Sequence, residues 1–300
     1  MGLRDFLLLV AICFVWGLNV VLTRWVVFDE GVAPVFFAAV RFGLVGLLLL
    51  PLLRPVPRDW GMLLAVAMSI GAAHFALLFL GLAGAEASAV AVVGQLGVPF
   101  STLLSIVLLG ERIHWRRALG IVMAFAGVMV IAVDPASFSL STGLLFVVGS
   151  AFIGALGGVL MKRLTPMPAL RLQAWTGAVS VAPLLALSLV LEPGAAQGYA
   201  QAGWPVWLAT VFAVVGVSLF GHGSFYTLVK RHEISLLAPL TLMTPIFGVL
   251  LGIGLLGEPA SPKLLLGGAL ALSGVLIIAL RPNARLPDAS IRDKLPSPPT

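Results

Sequence analysis

Charge is what this sequence has least of. Only 10% of its 300 residues are Asp, Glu, Lys or Arg, against about 25% in an ordinary soluble domain, while 60% are hydrophobic and the mean hydropathy is +1.11. That composition excludes a water-soluble globule and puts the chain in a lipid bilayer. Cysteine is nearly missing too: Cys13 stands alone, so no disulfide can form within the chain and the redox compartment stays open. Carboxylates are absent from the middle of every apolar run, because all 12 acidic residues fall at helix ends, loops or tails. A proton-coupled antiporter usually keeps an intramembrane carboxylate as its relay, and that device is lacking. There is no His-Glu-x-x-His, no carboxylate pair, and no histidine nearer to Cys13 than His74. No enzyme chemistry, metal site or cofactor is therefore expected. A channel would need a ring of charge or a carbonyl filter, and neither is visible.

What is present is a succession of apolar runs. Ten occur, at about 6–28, 34–53, 60–82, 88–109, 115–133, 142–162, 168–191, 205–229, 234–256 and 262–281, each near the roughly 20 residues that a spanning helix consumes. Short turn-forming stretches separate them, such as Asp29-Glu30-Gly31 and Glu192-Pro193-Gly194, and loops this short force neighbouring helices to run antiparallel. The first run has no small-residue cleavage pattern and another run follows at once, so the N-terminus is expected to be retained. The proline-rich stretch 282–300 reads as a disordered tail.

Basic residues give the orientation. With ten spans and the N-terminus inside, 15 of the 18 Lys and Arg residues fall on the cytoplasmic side, as the positive-inside rule requires. The exceptions are Lys263 in an outer loop, and Arg24 and Arg41 within the outer halves of spans one and two. The net charge of +6 is thus a topology signal rather than a nucleic-acid footprint. The expectation is a multi-pass protein of the inner membrane with both termini in the cytoplasm.

The two halves repeat. At a constant offset of 147, Ser88 matches Ser235, Gly110-Glu111 matches Gly257-Glu258, Gly120 matches Gly267, Gly127 matches Gly274 and Ile131 matches Ile278. Each unit, 1–138 and 139–281, holds five spans, and an odd number forces the second copy to enter from the opposite side. The fold class is an all-α membrane protein of ten helices in two inverted five-helix repeats, an architecture known from secondary transporters with a midplane site between the halves.

Trp16-Gly17-x-Asn19 in span one, Pro34 to Arg41-Phe42 in span two, and the proline-to-Leu-Gly-Glu runs in both halves (Pro99 to Glu111, Pro245 to Glu258) resemble the drug/metabolite transporter superfamily. Within it the chain is similar to the ten-helix EamA-type exporters, including bacterial amino-acid exporters of the YddG type. The resemblance implies export of small metabolites. Two departures stand out: Gly154 lies near the place of a second Trp-Gly motif, and Trp175 lies where a second Arg41 would be.

Helical spacing gathers polar and aromatic residues into stripes: Trp16, Asn19 and Thr23; Ser88, Gln95, Pro99 and Thr102; Ser218, His222 and Tyr226. In hydrocarbon these groups must meet protein, water or substrate, and interhelical hydrogen bonding is the plain alternative to a binding site. Pro99 and Pro245 free the carbonyls of Gln95 and Thr241, as acceptors or as hinges. The offset takes His74 to Gly221, beside His222, so the two rings are expected to face each other across the pseudo-axis. Arg24 is near enough to the membrane edge to snorkel. Arg41, roughly 10 Å deep, either pairs with Asp29 or Glu30 or lines an outer vestibule and meets a carboxylate. The candidate substrate-binding residues are Trp16, Asn19, His74, Phe79, Gln95, Pro99, Trp175, His222, Tyr226, Met243 and Pro245, with Arg41 in the vestibule. A sugar-phosphate or nucleotide-sugar exchanger should carry several cations at its cavity, and a lipophilic-cation or drug antiporter a midplane carboxylate. A cavity of amides, carbonyls and aromatic faces suits a zwitterionic amino acid, moved by a facilitative exporter for which a monomer suffices.

Overall fold

The structure of the chain is a computed structural model that describes residues 1–109, 115–134, 139–232, 237 and 240–280. A backbone crossing hydrocarbon has no water to bond, so it must close its hydrogen bonds within itself, and a helix does so. Eight helices are long and apolar enough to cross: Leu3–Asp29 (span one), Trp60–Gly84 (three), Ala87–Leu108 (four), Trp115–Ala132 (five), Thr142–Met161 (six), Ala169–Leu191 (seven), Trp204–Phe225 (eight) and Pro262–Ala279 (ten). Two shorter apolar helices, Pro34–Leu48 (span two) and Met243–Leu256 (span nine), complete the ten. Span eight runs on as helix to Arg231. Between spans five and six, Val133–Asp134 pairs antiparallel with Ser139–Leu140, and a short helix, Ala195–Gln201, precedes span eight.

One expected range is corrected. Span two stops at Leu48 rather than 53, because Pro51 has no N–H to continue the ladder, and Leu50–Leu53 tightens into a 3₁₀ turn. In span nine Leu237 and Leu240 are helical, a turn follows at 241–242 and the helix Met243–Leu256 completes it; its expected start at 234 lies outside the described residues. Glu111, Pro239 and the expected tail at 282–300 lie outside the described residues.

The packing obeys a two-fold relation between the halves. Span two packs on seven, four on nine and five on ten, each against its own repeat mate. Spans eight and nine hold span one, just as spans three and four hold span six. Spans five and ten make the most extensive pair, and glycine explains how. A Cβ added at Gly120 would lie 2.7 Å from the Gly274 carbonyl oxygen, and one at Gly127 only 2.4 Å from the Ala271 nitrogen and 2.5 Å from the Gly267 carbonyl oxygen. Gly267 and Gly274 are the repeat mates of Gly120 and Gly127. Each glycine therefore meets the mate of the other, the signature of a self-complementary contact lying on a two-fold axis. Backbones can approach so closely only where both helices lack a side chain.

The outer surface of the bundle is apolar, with Leu189, Val107 and Leu266 at least 70% exposed, as lipid-facing positions should be. Two ends can be distinguished. The basic end carries Arg54, Arg58, Lys162 and Arg231; the other carries Asp29, Glu86, Glu192 and Glu258 and is called the Glu258 end. At the basic end Asp5 accepts from His232 Nε2 at 2.7 Å and lies 3.6 Å from Arg231, joining the start of span one to the end of span eight. At the Glu258 end the matching junction, span three with span six, is made by glycine: a Cβ at Gly143 would stand 2.6 Å from the Gly84 backbone.

Gly127→Val should wedge spans five and ten apart, a cost of about 1–3 kcal/mol for overpacking. Gly158→Ala, where an added Cβ meets nothing within 4 Å, should leave stability level or slightly raised. Thermal unfolding of the two variants in detergent checks the contrast.

Candidate functional site

Trp25–Asp29 at the end of span one is wound as π-helix, and two further π stretches stand at equivalent places of the two halves. Met68–Ala73 in span three and Phe212–His222 in span eight are wound as π-helix, and the offset of 147 carries the first into the second. A π turn bonds five residues back, adds a residue to the turn, and is found disproportionately at functional sites. Side chains join this pattern: Ser218 Oγ donates to the Ala213 carbonyl at 3.2 Å and His222 Nδ1 meets the Val217 carbonyl at 2.8 Å. His74 opens the α-helix that follows the first π stretch, and His222 closes the second.

Both histidines are fixed by a carbonyl. His74 Nδ1 lies 2.9 Å from the Ser150 carbonyl oxygen and 2.8 Å from Ser150 Oγ, while Ser150 Oγ donates to the His74 carbonyl at 2.8 Å. A carbonyl oxygen only accepts, so each ring carries its proton on Nδ1 and, when neutral, leaves Nε2 as a bare acceptor. Room for these rings comes from glycine, with a size exchange between the halves. A Cβ at Gly154 in span six would sit 2.8 Å from His74 Nδ1, and one at Gly221 in span eight 2.6 Å from Trp16 Nε1. In one half the ring stands on span three against a glycine of span six. In the other the indole stands on span one against a glycine of span eight. The departure at Gly154 is thus matched across the interface.

Arg41 of span two reaches both spans that carry the π turns. Its Nη2 donates to Ser218 Oγ at 3.5 Å, one turn before His222, and its guanidinium carbon lies 4.7 Å from the centre of the Phe75 ring, which is itself 4.8 Å from the His74 ring. The side chain is 2% exposed, and Nε and Nη1 have no hydrogen-bond partner. Among the described residues Arg41 pairs with neither Asp29 nor Glu30; it is buried against Phe75 and Ser218. Trp16 lies 5.3 Å from the His222 ring and 5.3 Å from Phe225, its Nε1 also unpartnered.

The other expected residues divide. Phe79 is fully buried behind Phe75, 5.7 Å from it and 5.6 Å from Phe37, and so backs that ring instead of lining a surface. Met243, like Trp16 and Phe225, packs against the cluster of Leu9, Ile12, Cys13, Leu228 and Leu237. Asn19 is half-buried one turn above Trp16. Gln95 is half-buried in a 3₁₀ turn, Gly94–Leu96, that precedes the buried Pro99. Pro245 is buried, but the Thr241 carbonyl that it cannot reach accepts from Thr244 N at 2.9 Å, so that carbonyl is not free. Trp175 is not brought to Arg41: it packs 5.1 Å from Trp60 among Leu63, Val66, Leu164 and Leu172 at the basic end. The side chain of Tyr226 lies outside the described residues. Phe75, Ser150 and the π turns were not singled out from the sequence.

Polar contacts tie the helices together at the Glu258 end. The Glu258 carboxylate accepts from the backbone N–H groups of Ala87 and Ser88 at 2.6 and 2.8 Å, capping span four with a charge where the helix dipole favours one. Gly252 makes way for it, since a Cβ there would stand 2.5 Å from Oε2, and Gly257, at φ +66°, turns the chain back. Glu192 caps span two in the same manner, accepting from Val35 and Phe36 N–H at 2.8 and 2.9 Å. Arg24 does not simply snorkel; its Nη1 donates to the Leu82 and Ala83 carbonyls at the end of span three, at 3.0 and 3.3 Å. Burial and the neighbouring Glu258 hold the Glu86 carboxyl above its ordinary range, with Arg24 opposing. This packing therefore favours protonated Glu86 and weakens as pH rises through that raised value.

Ten membrane helices in inverted halves, with polar groups and aromatic faces meeting at the centre, define a membrane transporter of a small molecule. The chain belongs to the EamA-like transporter family, which matches residues 4–133 and 141–280. A probable amino-acid metabolite efflux pump of Escherichia coli is 27% identical, over 92% of this chain and 95% of its own length. A probable terminal-alkyne amino-acid exporter of Streptantibioticus cattleyicolor is 29% identical over 79% of each. One crystal structure, at 20% sequence identity, shares the fold with a TM-score of 0.61 over 92% of this chain and 96% of its own.

Glu258→Ala should release the cap on span four, at a cost of about 1.5–3 kcal/mol for a charged hydrogen bond. In a Cys13→Ala background, a cysteine at Ser88, fully buried here, should then react with a thiol reagent about tenfold faster or more. Equal rates with and without the Glu258 carboxylate would show that the cap does not hold this end closed.

Proposed function

We propose that the protein exports amino acids, aromatic or hydrophobic ones included, across the inner membrane by alternating access between its five-helix halves, 1–138 and 139–281. The observation that carries this reading is the set of buried and half-buried residues Arg41, Trp16, His74 and His222, which offer hydrogen-bonding groups beside aromatic faces. The relatives named as amino-acid efflux proteins support the substrate class at 27–29% identity. The distribution of Lys and Arg supports a cytoplasmic basic end, with both termini on that side. Transport is facilitative, driven by the gradient of the substrate itself, and a monomer suffices, since one chain contains both halves.

Counterflow in proteoliposomes, with a panel of labelled amino acids and sugar phosphates, tests the proposal. Amino-acid counterflow should persist when the proton gradient is collapsed. Its loss would mean a coupled proton, and counterflow of sugar phosphates alone would overturn the substrate class. Trp16→Ala and Gln95→Ala should weaken apparent affinity about two- to tenfold. Leu48→Ala, 55% exposed on the outer surface, should not. Equal transport by all three would make the central stripe structural.

A further inference from the structure

We propose that Arg41 is the anchor for a carboxylate of the transported molecule, and that the Nε2 atoms of His74 and His222 receive its ammonium group. The proposal rests on the amino-acid reading above and specifies how the site recognises a zwitterion.

The argument begins with an unpaired charge. A guanidinium presents five N–H donors in a planar fork that matches a carboxylate, and it stays protonated. Arg41 uses one nitrogen, in a long contact to Ser218 Oγ at 3.5 Å, and leaves Nε and Nη1 without a partner at 2% exposure. The face of Phe75 at 4.7 Å gives a cation–π contact, which offsets only part of the cost of burying such an ion. The acidic residues that could have neutralised it are used elsewhere. Glu258 caps span four, Glu192 caps span two, and Asp29 and Glu86 surround Arg24. Interhelical adhesion alone does not account for this arrangement, because a neutral donor would bridge span two to Ser218 at less cost.

The histidines supply the other half. Both direct Nδ1–H at a carbonyl, of Ser150 and of Val217, so both offer an acceptor to a positively charged group. Arg41 contacts Phe75, whose ring is 4.8 Å from that of His74, and Ser218, one turn before His222, and the indole of Trp16, 5.3 Å from the His222 ring, and the ring of Phe75 offer faces to an apolar side chain. This donor and acceptor set suits a ligand with an anion, a cation and an apolar remainder.

Thermal shift of the detergent-purified protein tests this independently of transport. The probes are leucine, phenylalanine and methionine, each as acid and as amide, with phenylacetate and 3-phenylpropanoate as carboxylates without an amine. The wild type should be stabilised by the acids and by the two plain carboxylates, and about tenfold more weakly by the amides. Arg41→Gln should melt at or above the wild-type temperature without ligand, since an unpaired buried charge has gone, and should lose the preference for acid over amide. Arg41→Lys should regain part of it. His222→Phe should weaken phenylalanine about fivefold and leave 3-phenylpropanoate within about twofold. A wild type that does not distinguish acid from amide, or an Arg41→Gln variant that still does, overturns the proposal. If carboxylates stabilise through Arg41 while no amino acid shows counterflow, the export reading fails and the carboxylate site stands.

Discussion

The bilayer interior offers no water, and each polar group placed there must find its partner in the protein or in what the protein carries. Nearly everything in this fold follows from that constraint. The backbone satisfies it with ten helices, whose ends take caps from Glu192, Glu258, Ser141 and Ser261. Side chains satisfy it in part at the ends of the bundle, where Asp5 meets His232 and Arg24 meets two carbonyls. It is left unmet at Ser88, Arg171, Trp175, Thr176, Ser180 and Thr244, and also at Nε and Nη1 of Arg41, the one buried guanidinium among the described residues, and at Trp16 Nε1. Arg41 and Trp16 lie against the π-helical stretch of span eight, through Ser218 and His222.

The pseudo-two-fold relation gives the fold its two-sidedness. Spans five and ten interlock backbone against backbone through Gly120, Gly127, Gly267 and Gly274, a contact with no side chains to rearrange and hence a natural fixed axis. Glycine also brings span three against six, one against nine and two against seven, while the ends of the helices join by polar contacts, a carboxylate on a helix N-terminus at one end and an ion pair at the other. Such polar contacts are broken and remade more readily than interlocked glycine backbones, so motion between the halves is expected at these helix ends.

Much of this was legible in the sequence, for a physical reason in each case. Span number and inversion follow from hydropathy and from five-span repeats, and the glycine register at offset 147 reappears as the contact on the axis. Trp16 and His222 stand out because lipid does not favour polar and aromatic stripes, and His74 because the repeat offset takes it beside His222. What could not be read was direction. Counting residues from Pro34 gave the depth of Arg41 but not that its side chain turns inward to Phe75 and Ser218. The π turns depend on packing, not on local propensity, and rotate the residues that follow them. Trp175 looked like a site residue because of its place in the repeat, yet Trp60 holds it in a cluster at the basic end. Pro245 seemed to free a carbonyl, and a local 3₁₀-type bond from Thr244 takes it up.

The central claim is that the two ends open alternately about the axis of spans five and ten. Paired spin labels measure this directly, at Leu191 and Leu255 for the Glu258 end and at Gly61 and Thr227 for the basic end, in a Cys13-free chain. All four positions are exposed. Adding substrate, or introducing Glu258→Ala, should lengthen the first distance and shorten the second. Distances that stay fixed, or that lengthen together, would contradict the account.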